Sequence, residues 1–332
     1  MHLDPFELHR PGSVAEVLEL ARGLGDAFDY VAGGTDLLPN YKMHLHPKAH
    51  LVALDRVAEL VGFDATRIGA MTRLADLESD ARFGRSYPGV LEAVREVATP
   101  LVRASGTVGG NLLVETRCFF FNQSEFWRES LGYCLKADGD RCHVVPQKER
   151  CYATFSGDLA PALIVLGAEV EIAGPDGVRR LSLEEMYDAR GDGIRRHRLR
   201  PGELVVAVHV PASARGARAA YRKLRVRPSF DFPELGVAVA LWGQGSHVER
   251  LEVALGGLET YPRRFPALTG PLAGTELTDS SIDQLAKELC RSVRPVHNTF
   301  LDPAYRKRMT EVYARRALRS ARDGPAGTGA AT

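Results

Sequence analysis

The chain has 332 residues, 45% of them hydrophobic, and a formal net charge of +1 on 43 basic and 42 acidic side chains. That length suits about two domains, and the balanced charge excludes the broad basic field with which a protein neutralises many nucleic-acid phosphates. No stretch approaches ~18 uninterrupted apolar residues, and the first residues lack a basic segment followed by an apolar one, so no membrane span is expected and a cytoplasmic location is. In that setting five cysteines read as free thiols or metal ligands rather than as disulfides.

In chain order, residues 13–24 (SVAEVLELARGL) place Val14, Val17, Leu18, Ala21 and Leu24 on one face behind a Ser13 N-cap and predict a helix. FDYVAGGTDLL (28–38) predicts a short strand ending in a glycine turn, and HLVAL (50–54) a second strand, so the opening residues form a small α/β unit. RIGAMT (67–72) follows as a strand, LADLESDARF (74–83) as one helical stretch, and PGVLEAVREVATPLVRASG (88–106) as a longer segment before TVGGNLL. LAPALIVLGAEVEI (159–172) joins an apolar helix to an alternating strand, GPDGVRRL (174–181) reads as a hairpin connection, and LVVAVHVP (204–211) as a strand. Beyond about residue 215 the texture changes to strands in YRKLRVR, GVAVALWG and HVERLEVALGGL, then helices in SSIDQLAKELCRSV and AYRKRMTEVYARRALRSA. The tail DGPAGTGAAT (323–332) is too polar and glycine-rich to bury apolar surface and is expected to be disordered.

Two glycine pairs stand out, in Ala32-Gly33-Gly34-Thr35 and in Thr107-Val108-Gly109-Gly110-Asn111. Each follows a strand-like or turn segment where missing Cβ atoms admit a phosphate to the backbone N–H groups, and two such loops would grip one pyrophosphate. Alone, either is an ordinary turn, and neither fits a dinucleotide-fold or P-loop pattern. Together with GDLAPALIVLGAEVEI, LRPGELVVAVHVP, YRKL and YRKRMTEVYARRAL in this order, they make the chain resemble the flavin-binding medium subunits of the xanthine oxidase, or molybdenum hydroxylase, family. The resemblance implies an α+β fold: a two-subdomain PCMH-type (vanillyl-alcohol-oxidase-like) FAD-binding domain over 1–215, with subdomains 1–57 and 58–215, then a C-terminal α+β domain over 216–322 with a small antiparallel sheet. It further implies that Ala32, Gly33, Gly34, Thr35, Asp36 and Leu37, with Thr107, Gly109, Gly110 and Asn111, wrap the FAD diphosphate and ribityl chain. Asp158 would bind the flavin end and Lys223 lie near the isoalloxazine, the cation stabilising negative charge on reduced flavin. The plain alternatives are a helix N-cap for Asp158 and a solvated strand lysine for Lys223. Ala104 departs from the asparagine that many relatives carry after the arginine of LVRASGTVGGN.

Where most of that family passes quickly from TVGGNL to the GD-L-P segment, about 40 residues intervene here, roughly 115–155, and they hold Cys118, Cys134, Cys142 and Cys151. Four cysteines in such a run suit either Zn²⁺ or an iron–sulfur cluster, unless they are unligated thiols; no C-x₂-C knuckle is present, and the long gaps suit loops wrapped round a larger object, a [4Fe–4S] cluster. Phe119, Phe120, Phe121, Phe126 and Trp127 are expected to pack around it, and Cys290, alone in a helix, to be a small buried hydrophobe. The insertion resembles the β subunits of 4-hydroxybenzoyl-CoA reductases, which implies electron transfer from ferredoxin toward molybdenum for reductive dehydroxylation to benzoyl-CoA. The implied partners are a molybdenum-cofactor large subunit and a two-[2Fe–2S] small subunit, in a heterohexamer of two heterotrimers. No catalytic acid, base or nucleophile is expected on this chain. Alternative readings are the flavin subunit of a hydroxylase acting on an aldehyde or N-heterocycle, a stand-alone flavin oxidoreductase, and a zinc-stapled scaffold. The basic residues Arg306, Lys307, Arg308, Arg315, Arg316 and Arg319 are either a docking surface or a solvated helix face.

Overall fold

In the computed structural model, residues 3–324 are described, and they build three sheets in series. The N-terminal sheet is parallel, with β1 (Glu7–His9) beside β3 (His50–Ala53) beside β2 (Phe28–Val31). The helix Val14–Leu24 crosses between β1 and β2, and the Ser13 hydroxyl accepts from the Glu16 N–H at 3.2 Å, the cap its sequence calls for. Val17 and Ala21 of that helix pack with Val52 and Leu54, and with Leu204 and Val206 of the next sheet, so this unit shares its core with its neighbour.

The second sheet is antiparallel, in the order β4 (Arg67–Gly69), β7 (Leu204–His209), β5 (Glu169–Gly174), β6 (Gly177–Ser182), with a bulge in β5 between Glu171 and Ile172. The segment 74–83 is two helices rather than one, Leu74–Ser79 and Ala81–Ser86. Asp80 breaks it because its carboxylate caps the second helix, accepting from Arg82 and Phe83 N–H at 2.7 and 2.9 Å.

The third sheet is antiparallel, β11 (Arg263–Arg264), β10 (Arg250–Gly256), β9 (Leu235–Trp242), β8 (Arg218–Leu224). Alternation along β9 assigns its two faces. Val237, Val239 and Leu241 pack on the helices Asp279–Ser292 and Pro303–Asp323, while the small Ala238 and Ala240 face the core shared with the second sheet and the helix Leu159–Ile164. Buried on both sides, β9 joins the C-terminal domain to the rest.

The basic helix is only partly a solvated face. Arg306 is fully buried: its Nη1 donates to Val296 O and Asn298 Oδ1 at 3.1 and 3.0 Å, its Nη2 to Gly257 O, and its Nε lies 3.3 Å from Glu234 Oε2. Arg315 pairs with Asp283 and Glu311, and Arg319 with Asp279, which leaves less charge for docking than the sequence suggests. Asp323, assigned above to the tail, is the last helical residue and pairs with Arg322, and the Gly324 N–H closes on Ser320 O; residues 325–332 lie outside the described residues. Cys290 sits between the two long helices with its thiol 3.2 Å from Lys307 O. Among the described residues no helix is long and apolar enough to cross a membrane.

Replacing Arg306 by methionine strands the buried Glu234 carboxylate, so denaturant unfolding should show a loss of about 3–5 kcal/mol.

Candidate functional site

The turn after β2 is built for an anion. Gly34 sits at φ +69, a left-handed conformation that glycine adopts without strain and that reverses the backbone between neighbours of negative φ. Among the described residues, no acceptor stands opposite the N–H groups of Gly33, Gly34, Thr35, Asp36 and Leu37. The helix Leu37–Lys42 starts at this point and adds the positive end of its dipole. Four of these donors belong to half-buried residues, Thr35 being exposed, and a diphosphate is an acceptor that could meet them.

The second glycine loop lies against the first. A Cβ on Gly33 would stand 2.1 Å from the Ser105 carbonyl oxygen, so only glycine lets the two backbones meet. The Thr107-Asn111 loop does not donate as its sequence suggests. Val108 N–H bonds Thr72 O, Gly109 N–H bonds Ala70 O, Gly110 N–H bonds Thr107 Oγ1 and Asn111 N–H bonds Thr107 O, at 2.8–3.1 Å, so all four donors are spent on the protein. This loop lies beside the first turn and offers none of these four N–H groups to a ligand. Asn111 also fixes the following element: its Oδ1 accepts from Leu159 N–H at 3.0 Å and caps the helix Leu159–Ile164. It thereby takes the role the sequence offered to Asp158, whose side chain caps nothing.

Asp158 is buried, 3.0 Å from Lys223 Nζ, and accepts from Tyr221 OH at 2.8 Å. Burial pushes its carboxyl up, against the pull of Lys223. Lys223 is not a solvated lysine: its side chain is 0% exposed, and its ammonium donates to Asp158, Glu96 O and Asp231 O. The structure thus joins these two predicted residues to each other.

The insertion forms a lobe of turns with one helix, Glu125–Ser130. Arg117 and Thr154 exchange both N–H···O bonds at 2.8 Å and close its base. Arg128 ties it to the N-terminal domain, donating to Met43 O and His44 O at 2.9 and 3.1 Å; His44 and His46, both at positive φ, shape that loop. The four cysteines line one pocket with Phe120, Phe121, Lys136 and His143. Burial pushes the Cys118 thiol up to about 12, the Cys151 thiol to about 11, and Cys134 upward, although backbone N–H groups of Phe120 and Phe121 face Cys118, those of Lys136 and Ala137 face Cys134, and that of Ala153 faces Cys151. Such N–H···S contacts are what thiolate ligands of a metal centre receive. Phe119, Phe120 and Trp127 stack alongside and Phe121 is buried, whereas Phe126 is 80% exposed and does not join them.

The only described set of three or more His, Cys, Asp or Glu ligand atoms within 4.8 Å of one another is Glu7, His9 and His50. The sulfurs are therefore not gathered round a single tetrahedral ion, which would hold them about 3.8 Å apart at a Zn–S distance of about 2.3 Å.

Residues that the sequence did not single out connect pocket and turn. Lys136 donates to Glu115 at 2.6 Å, Arg196 lies 2.9 Å from the other Glu115 oxygen, Glu115 N–H reaches Asp36 at 3.3 Å, and Arg117 pairs with Asp36. Burial alone would raise the Glu115 carboxyl, but Lys136 and Arg196 together hold it down at about 2. Isolated charged residues in a long insertion carry no periodicity, so nothing in the sequence marks this network.

Residues 4–213 match the family described as the FAD binding domain in molybdopterin dehydrogenase, and residues 219–321 match the CO dehydrogenase flavoprotein C-terminal domain. The chain belongs to the FAD-binding medium subunits of the molybdenum hydroxylase family. It is 34% identical over 280 residues to the aldehyde oxidoreductase FAD-binding subunit PaoB of Escherichia coli, covering 81% of this chain and 86% of that one. It is 28% identical to the carbon monoxide dehydrogenase medium chain of Afipia carboxidovorans, over 96% of each. Among solved structures, the cyanide-inactivated Cu,Mo-CO dehydrogenase aligns with a TM-score of 0.78 and 25% identity over 97% of this chain and 99% of that one. The enzyme of Hydrogenophaga pseudoflava lacking the Mo-pyranopterin moiety aligns at 0.77 and 27%, over 97% and 98%.

Gly33→Ala should weaken FAD binding at least tenfold by forcing the two loops apart, read from flavin fluorescence on titration. Because the Glu115 carboxyl is depressed from 4.5 to about 2, the stability it adds is present above pH 4.5 and lost as pH falls through about 2. The stability difference between wild type and Glu115→Gln should accordingly narrow by on the order of 3 kcal/mol across that range, measured by unfolding at each pH.

Proposed function

We propose that this chain is the electron-relay subunit of a molybdenum enzyme, holding FAD at the Gly33–Leu37 turn and a [4Fe–4S] cluster on Cys118, Cys134, Cys142 and Cys151. The observation that carries the reading is the row of five unpartnered N–H groups, linked through Asp36 and Glu115 to a pocket lined by four cysteines. FAD and the cluster would supply two-electron storage and one-electron exchange. The chain's own part is to hold them: the first turn, with Ala32 beside it, takes the diphosphate, Thr107, Gly109, Gly110 and Asn111 form the wall, and Asp158 and Lys223 set the charge under the flavin end. With its three donors spent, Lys223 acts by charge and by orienting Asp158 rather than by direct hydrogen bonding. Relatives named as medium chains, and a related enzyme whose name carries a molybdenum cofactor, support an assembly with further subunits, which on this reading bear the molybdenum cofactor and two [2Fe–2S] clusters.

For the reaction of the assembly, the 34% likeness to an aldehyde oxidoreductase subunit favours aldehyde oxidation, because it rests on 280 aligned residues. The four-cysteine insertion favours a second reading, ferredoxin-driven reduction of 4-hydroxybenzoyl-CoA. Purified complex given an aromatic aldehyde with an electron acceptor, and separately 4-hydroxybenzoyl-CoA with a low-potential reductant, separates them. Carboxylate as the only product upholds the first reading, and benzoyl-CoA the second.

The isolated chain should be yellow-brown with about one FAD and about four irons. Cys134→Ser should lose the iron and keep the flavin; a colourless protein holding zinc would overturn the assignment.

A further inference from the structure

We propose that Glu7, His9 and His50 bind one divalent transition-metal ion of the zinc type on the N-terminal parallel sheet. The site is separate from the flavin turn and the cysteine pocket and does not depend on the function assigned to them. Register brings the three together. β1 pairs with β3 so that Glu7 stands opposite His50, and Glu7 and His9, two residues apart on a strand, share a face.

His9 Nε2 lies 3.1 Å from His50 Nδ1, Glu7 Oε2 lies 3.5 Å from His50 Nδ1, and Glu7 Oε1 lies 3.8 Å from His9 Nε2. A tetrahedral ion with bonds of about 2.0–2.2 Å to nitrogen and oxygen sets its ligand atoms about 3.3–3.6 Å apart. The two Glu7 distances reach different carboxylate oxygens, and one ligand atom from each residue lies within 4.8 Å of the other two, so closing on an ion takes a rotation of the exposed Glu7 carboxylate with small shifts of the imidazoles. The imidazoles are mostly shielded, at 18% and 26% side-chain exposure, while Glu7 is 66% exposed, which leaves the fourth position to water.

Two imidazoles and one carboxylate select zinc, cobalt or nickel over calcium or magnesium, which prefer oxygen ligands throughout. A plain imidazole–imidazole hydrogen bond explains the 3.1 Å contact but gives the carboxylate no single point on which to converge. β1 is three residues long and holds β3 through three residue pairs, so an ion bridging the two strands would clip the chain's first strand to its sheet. Binding to the folded state alone raises stability by mass action.

The test uses the full chain with any affinity tag removed, titrated with Zn²⁺ by calorimetry and followed by thermal unfolding. Free thiols also bind added zinc in solution, so the informative quantity is the difference between proteins. His9→Ala and His50→Ala should each bind one zinc fewer than wild type and lose the zinc-dependent rise in Tm, and Glu7→Gln should bind at least tenfold more weakly. Co²⁺ at this site should give tetrahedral d–d bands that persist when the thiols are alkylated, a readout on wild type that stands even if a variant misfolds. Equal stoichiometry and affinity in wild type and both histidine variants, filling only at millimolar zinc, or loss of all cobalt bands on alkylation would each overturn the proposal.

Discussion

The contact between Gly33 and the Ser105 carbonyl is the constraint on which the proposed flavin site depends. It presses the N-terminal parallel sheet's turn against the loop of the second subdomain with no side chain between them. Once that seam is closed, each loop has a different duty. One leaves its N–H groups without protein acceptors, and the other spends the four from Val108 to Asn111 on its own protein and is stiffened by them. Asn111 extends the wall to the Leu159 helix, and that helix lies against the alanine face of β9. A position set by two backbones touching thus passes through one amide side chain to the central strand of the C-terminal sheet.

The insertion obeys a different logic, since it contains little regular structure and is held by charge. Lys136 is buried only because Glu115, Thr116 O and Gly193 O accept from it, and Glu115 is ionised only because Lys136 and Arg196 face it. Such a network is costly to break and exacting in geometry. It therefore suits a segment that must hold four thiols in place without a sheet beneath them.

Much of the fold was legible in the sequence because it is carried by local signals: the Ser13 cap, the apolar strand run in GVAVALWG, the hairpin at 174–177 and the helix in AYRKRMTEVYARRALRSA. The break at Asp80 was missed because helical periodicity runs through it, and a side chain preferring two N–H groups ahead overrode the pattern. At the candidate site, the glycine pairs marked two loops that the structure brings together, but only coordinates tell an outward N–H from one bonded to Ala70 or Thr72. Asp158 and Lys223 were each singled out, yet their pairing across 65 residues has no local signature. Arg306 read as one more solvated base, since nothing in a basic run shows which guanidinium turns inward.

Asn298 gives the insertion an owner outside the flavin domain. Its carbonyl accepts from Phe119 N–H, its amide donates to Tyr152 O at 2.7 Å, and its Oδ1 accepts from the buried Arg306. Both ends of the cysteine lobe are thereby fastened to a residue of the C-terminal domain, itself fastened to that domain's longest helix. The lobe is consequently not a portable cassette. Grafted into a relative's flavin domain by its own forty residues, it would arrive without its anchor, so gaining or losing such a lobe demands matched changes in two parts of the chain.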